Sequence, residues 1–212
     1  MKRVSIFCGH YGSGKTNIAV NYAKFIREQG FDTALADIDI VNPYFRSKDS
    51  ERELTDMGIR VISLPFANTN VDLPSLPSEV YSLVQNRKTY AVFEVGGDDR
   101  GAYALGRYVP YILDENNYEM FFVVNFFRPL TRTAGDALAV LREIETACGI
   151  PFTAIVNNSN LGEQTTADDI GSTLDRAKEL SGLCGLPVKF TCAQRSISAE
   201  DMFPLDLQKK YF

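Results

Sequence analysis

Histidine is almost missing from this chain: His10 is the only one in 212 residues. A single imidazole excludes His-rich metal storage and any H-E-x-x-H zinc site, and a Ser-His-Asp triad would have to use His10 itself. The four cysteines, Cys8, Cys148, Cys184 and Cys192, contain no C-x-x-C pair. They read as reduced, mostly buried thiols, with Cys184 and Cys192 as the one pair near enough in sequence to share a metal across a dimer interface. Basic residues are in deficit, 22 Lys and Arg against 27 Asp and Glu, for a net charge of −5. Such a chain is a poor non-specific partner for DNA or anionic lipid, whose phosphates need a basic face. Long apolar runs are also missing. No window approaches the ~18 residues of a membrane span, and the run before Gly9 is too short for a signal-peptide core. The expectation is a cytoplasmic protein with no membrane association.

What is present is a folding sequence. Hydrophobic residues make up 45% of the chain, too much for a disordered one, and no repeat, low-complexity run or linker divides it. Residues 1–212 therefore read as a single domain. Short apolar runs at 3–8, 33–38, 60–64, 90–95, 119–125, 152–156 and 187–191 read as strands, most of them covered on both faces. Helical patterns lie between them, at roughly 15–29, 46–57, 77–87, 99–114, 131–148 and 167–182. Gly149 and Pro151 end the fifth of these. The tail from Met202 to Phe212 reads as a closing helix, and 65–77 as a Pro-rich surface loop. Strand–helix alternation specifies an α/β fold with a mostly parallel, about seven-stranded sheet flanked by helices. In such sheets ligands bind beyond the carboxyl ends of the strands, so those ends are where chemistry is sought.

The first strand runs into Gly9-His10-Tyr11-Gly12-Ser13-Gly14-Lys15-Thr16, a G-x-x-x-x-G-K-[ST] segment, with Asn17 next. Its glycines let backbone N–H groups curl around a phosphate chain. Lys15 can reach the β- and γ-phosphates, and the Thr16 hydroxyl can ligate Mg²⁺. The following helix points its positive end at the same anions. Gly9 to Asn17 is thus the candidate nucleotide-binding segment of a P-loop NTPase.

Three further strand ends carry polar residues. Asp37 and Asp39, with Asn42-Pro43 behind them, offer one carboxylate for Mg²⁺ and another for the attacking water. Glu94 closes the fourth strand at the Walker-B position, and Gly97 follows where its N–H can meet a γ-phosphate. Asn157-Asn158-Ser159-Asn160 follows the sixth strand, where guanine-specific P-loop proteins usually carry N-K-x-D. Asn158 and Asn160 occupy the Lys and Asp places, and an amide that both donates and accepts suits the adenine N6/N7 edge. ATP is therefore favoured over GTP. Arg128 and Arg132 flank Pro129 after the fifth strand, where they can meet phosphate, substrate or a partner carboxylate.

Together these residues resemble the MinD/ParA/CobQ/CobB group of P-loop NTPases over nearly the whole chain, a SIMIBI-type nucleotide-binding domain. The resemblance implies a slow, partner-stimulated ATPase acting as a switch or maturation factor, in which a protein partner reads the switch loops and two copies can close around nucleotide. It makes Lys15 and Thr16 the phosphate and Mg²⁺ residues, Asp39 the water-activating carboxylate and Asn157 the adenine contact. Two positions depart from the partition-type members. His10 stands where they carry a trans-acting lysine, and Glu94 replaces their strand-end Asp. A CobB- or dethiobiotin-synthetase-like ligase, a GTP-dependent metallochaperone and a non-hydrolysing binding module are the alternatives.

Overall fold

A computed structural model describes residues 1–39, 51–63, 78–97 and 99–207. The expectations for Asn42-Pro43, for the loop at 65–77 and for the last residues of the tail lie outside the described residues, as does the start of the helix at 46–57.

The most apolar run near the N-terminus becomes the central strand. β1 (Val4–Cys8) is buried at every residue and pairs with β4 (Tyr90–Glu94) on one side and β5 (Tyr118–Val124) on the other. β2 (Thr33–Asp37) lies outside β4, and β3 (Arg60–Ser63) outside β2. Beyond β5 follow β6 (Ala154–Asn157), β7 (Val188–Gln194) and β8 (Phe203–Leu205). The described sheet thus has eight strands in the order β3-β2-β4-β1-β5-β6-β7-β8, all parallel. Because the chain leaves β1 for β2 and later returns as β4 beside it, the strand order reverses next to β1, which opens a crevice there.

Alternation along the strands divides the core in two. Val4, Ile6 and Cys8 of β1 face one cluster with α3 (Ser78–Gln85), α5 (Val109–Glu115), α6 (Ala134–Cys148) and α8 (Leu174–Cys184). Phe7 faces the other, built on α1 (Lys15–Glu28) and Leu54 of α2 (Glu51–Asp56). Beneath α1 the rings of Phe7 and Phe121 stack at 4.9 Å, and Tyr22 meets Phe7, Phe190 and Phe203. These contacts seat α1 on the sheet, and with it the loop that precedes the helix.

Three expectations need correction. The helix expected over 99–114 is two, α4 (Asp99–Gly106) and α5, divided at Arg107–Tyr108. Pro110 lacks an N–H and its ring excludes a preceding helical turn, so it takes the first turn of α5. The pattern at 167–182 likewise divides into α7 (Ala167–Gly171), started by a Thr166–Asp169 capping box, and α8. The tail supplies not a helix but β8. Phe203 joins the aromatic cluster, while the Asn21 side chain both donates to Asp206 O (3.0 Å) and accepts from Asp206 N (2.9 Å). Pro204 is tolerated because it lies on an edge strand. All four cysteines are unpaired, and Cys184 alone is not fully buried. Among the described residues no helix is long and apolar enough to cross a membrane.

Arg3 anchors the end of the sheet opposite the crevice. It is 3% exposed, donates to the carbonyls of Leu83 (3.0 Å) and Thr89 (2.7 Å), and forms a two-pronged pair with Glu115. Arg3→Ala would strand the buried Glu115 carboxylate and two carbonyls. We expect it to lower unfolding free energy by about 3 kcal/mol in a urea titration; a loss below about 1 kcal/mol would show that water replaces the guanidinium.

Candidate functional site

The segment after β1 turns back on itself through a hydrogen bond from Ser13 N to His10 O (3.1 Å) and enters α1 at Gly14. Gly14 has φ +87°, and a Cβ there would lie 2.3 Å from Nδ2 of Asn158. Only glycine satisfies both conditions. α1 therefore starts with no capping side chain and no acidic residue in its first turn, leaving its first N–H groups and positive dipole end to an anion. Lys15 is buried, and its ammonium donates across the loop to Gly9 O (2.9 Å) and His10 O (3.5 Å).

From the opposite side the loop meets the end of β4. A Cβ on Gly97 would stand 2.4 Å from Gly9 O and 2.8 Å from Tyr11 N, so the segment after Glu94 lies directly against the loop backbone. Glu94 is 2% exposed. Thr16 Oγ1 donates to its Oε1, while among the described residues no donor reaches its Oε2. Burial, then the charge of Asp37 beside it, pushes the Glu94 carboxyl well above its ordinary range; the Thr16 hydroxyl and Lys15 act the other way. Asp37 is the register partner of Glu94 on β2, and its Oδ1 accepts from Asp39 N (3.1 Å). Asp39 Oδ1 would lie 2.9 Å from a Cβ on Gly96. Asp37, Asp39, Glu94, Gly97, Lys15 and Thr16, read from three separate stretches of sequence, thus meet at one end of β1, β2 and β4.

A polar atom buried without a donor, next to a hydroxyl and a second carboxylate, is a donor set that suits a hard divalent cation. No group of three or more His, Cys, Asp or Glu side chains close enough to hold a metal occurs among the described residues. The set therefore fits a cation completed by water and phosphate oxygens rather than one caged by protein alone.

The asparagines after β6 are placed otherwise than expected. Asn157 is fully buried; its Nδ2 donates to Thr173 Oγ1 (3.0 Å), and its Oδ1 accepts from Ser159 Oγ (2.7 Å) and N (3.2 Å). With both ends of the amide committed, Asn157 braces the loop instead of reading a base. Asn158 donates to Ser13 O (2.7 Å), tying the same loop to the P-loop. Asn160 donates to Asn158 O (2.7 Å) and accepts from Gly162 N (3.1 Å). Sequence reasoning passed over Asn125, fully buried at the end of β5, whose side chain donates to Asn160 O (3.1 Å) and accepts from Phe127 N (3.0 Å). A polar residue closing an unbroken apolar run was the available signal. Of the two arginines, Arg128 donates from Nε to Gly12 O (3.0 Å), whereas the carbonyl of Arg132 accepts from Arg176 (3.2 Å).

No family model and no curated relative matches this chain. Solved structures do. The cell division protein FtsY of Thermotoga maritima is 19% identical with a TM-score of 0.64, over 96% of this chain and 65% of that one. FtsY of Mycoplasma mycoides is 14% identical with a TM-score of 0.59, over 92% and 60%. The signal recognition particle 54 kDa protein of Aeropyrum pernix, solved in complex with GDP, is 14% identical with a TM-score of 0.55, over 89% and 40%. The chain spans less than two thirds of each of these. The likeness is one of fold: a parallel sheet flanked by helices, as in P-loop NTPases.

Two outcomes test this geometry in the unliganded protein. Gly97→Ala drives a methyl into the loop backbone and should cost about 1–3 kcal/mol on urea unfolding, while Gly106→Ala, whose methyl meets nothing within 4 Å, should cost nothing. Equal effects would mean that the loop yields freely. Glu94, whose folded value is raised, favours folding fully below its ordinary value and loses that contribution as pH rises through the folded value. Glu94→Gln should therefore gain on wild type between pH 5 and 8, by up to about 1.4 kcal/mol per pH unit. A pH-independent difference would show that Glu94 is already ionised.

Proposed function

We propose that this protein binds a nucleoside triphosphate with Mg²⁺, ATP in preference to GTP, and works as a slow nucleotide-dependent switch. The observation that carries the reading is the meeting of Lys15, Thr16, Asp37, Asp39, Glu94 and Gly97 around one uncapped helix N-terminus. The ammonium of Lys15 rests on the carbonyls of Gly9 and His10, weak acceptors that β- and γ-phosphate oxygens would outcompete. The N–H groups from Tyr11 to Asn17 would wrap the phosphates, and the N–H of Gly97 would meet the terminal one.

Thr16 would ligate Mg²⁺ directly, with Asp37 and Glu94 holding it through water; the ion neutralises charge that develops on the phosphate oxygens. Thr16 would give up its hydrogen bond to Glu94 in exchange. Asp39, beside Gly96 at the mouth, would orient the attacking water. A hydrolysis site in which a carboxylate orients the water would be slow, which suits stimulation by a protein partner that reads the segments after β2 and β4, or closure of a homodimer around nucleotide. The reading places the protein in the cytoplasm and gives it no role in non-specific DNA binding.

A GTP-specific reading has one observation behind it, the GDP bound to the structurally similar 54 kDa protein. Against it, positions 157 to 161 offer no carboxylate to accept from guanine N1 and N2. Calorimetry with ATP and GTP on wild type and Lys15→Ala decides. We expect Lys15→Ala to weaken triphosphate binding by about a hundredfold with an unchanged circular dichroism spectrum. Unchanged affinity would sink the nucleotide reading, and tighter GTP than ATP would move the protein to the guanine class.

A further inference from the structure

We propose that Arg128 is a phosphate-recognising cation of this site, one that distinguishes nucleotides by how many phosphates they carry; the inference rests on the nucleotide reading above. Arg128 lies far from the P-loop in sequence, and a rigid turn brings it there. The fully buried Asn125 organises that turn: its carbonyl accepts from Arg128 N (3.1 Å) and from Thr131 Oγ1 (2.7 Å), and its Oδ1 accepts from Phe127 N (3.0 Å). Pro129 and the 3₁₀ turn it begins close the segment, with Thr131 N donating to Arg128 O (3.2 Å).

The side chain is seated on the tip of the P-loop. Nε donates to Gly12 O (3.0 Å), and a Cβ on Gly12 would lie 3.3 Å from Nε and 3.5 Å from Cζ. The guanidinium thus covers the face that the missing side chain leaves open. It is solvent-exposed, and among the described residues no carboxylate pairs with it. A guanidinium has five N–H donors in a fixed fork, and Nε accounts for one. The remaining four carry an uncompensated charge at the rim of a loop whose N–H groups face the same anion.

Two described neighbours are placed differently. Nδ1 of His10 lies 3.1 Å from Tyr11 O, and a carbonyl only accepts, so that ring nitrogen is turned to the loop's own backbone. Arg132 is exposed too, but among the described residues no hydrogen bond joins its side chain to the P-loop; only its main-chain carbonyl is held, by Arg176 (3.2 Å). Among the described residues Arg128 is the exposed cation hydrogen-bonded to the loop, and a fork of N–H donors suits phosphate oxygens better than it suits water.

The test is competition calorimetry of a non-hydrolysable ATP analogue, ADP and AMP on wild type, Arg128→Ala, Arg128→Gln and Arg128→Lys. Arg128→Ala and Arg128→Gln should lose about tenfold in affinity for the triphosphate, and no more than about twofold for AMP. Arg128→Lys should recover part of the triphosphate loss, because charge is restored without the fork. Equal losses for all three nucleotides in every variant would mean that Arg128 only shapes the loop, and the proposal would fall. It would fall equally if affinities stayed at wild-type values while self-association or partner capture was lost, since the arginine would then serve a carboxylate across an interface. A wild-type protein that binds none of the three nucleotides would overturn the nucleotide reading along with it.

Discussion

The carbonyl oxygen of Gly9 receives the Lys15 ammonium at 2.9 Å, and it also sits where a Cβ on Gly97 would come within 2.4 Å. That close approach of the β1 loop to the end of β4 is the constraint on which the site depends. It puts the carboxylate-bearing strand end against the phosphate-binding loop with no side chain between them. It also means the loop cannot relax toward β4. On the other side Asn158 fills the space a Cβ on Gly14 would need, so the loop is held between β4 and β6 by backbone and one amide. Interiors packed this closely transmit a shift instead of absorbing it. A change at the loop must move Gly97 or Asn158 with it.

The electrostatics of the unliganded site follow from the same closeness. Among the described residues, the carboxylates of Asp37, Asp39 and Glu94 share a strand-end region whose buried cation is Lys15. Burial of Glu94 beside Asp37 disfavours a second negative charge and raises the carboxyl above its ordinary range, while the Thr16 hydroxyl donated to it acts the other way. A carboxyl that is costly to ionise where it stands would be eased by any cation brought beside it, and a ligand shifts an equilibrium only through such differential affinity.

Much of this was legible in the sequence. Strands buried on both faces appear as unbroken apolar runs, so the fold class could be read directly, and the glycine spacing from Gly9 to Gly14 already marked the tight loop between β1 and α1. Asp37 and Glu94 were identifiable because each ends such a run. What the sequence left unspecified was long-range. No local signal says that β4 returns to lie beside β1, which is what brings Asp37 and Glu94 into register. β8 is three residues long and owes its existence to the Phe203 ring and the Asn21 clasp, partners distant in the chain. The break between α4 and α5 was signalled by Pro110, but helical periodicity on both sides obscured it.

The asparagines show why residue type alone is a weak guide to role. Asn157, Asn158 and Asn160 invite a base-reading interpretation because a free amide both donates and accepts. In the folded protein the side-chain amide nitrogen of each donates to hold the loop, with Asn125 completing the lattice from β5. A loop fixed by side-chain amides presents its backbone in one conformation, and backbone groups too can donate and accept at a base edge. Replacing Asn158 would therefore act by moving backbone: through Ser13 O it couples the shape of the loop after β6 to that of the loop after β1.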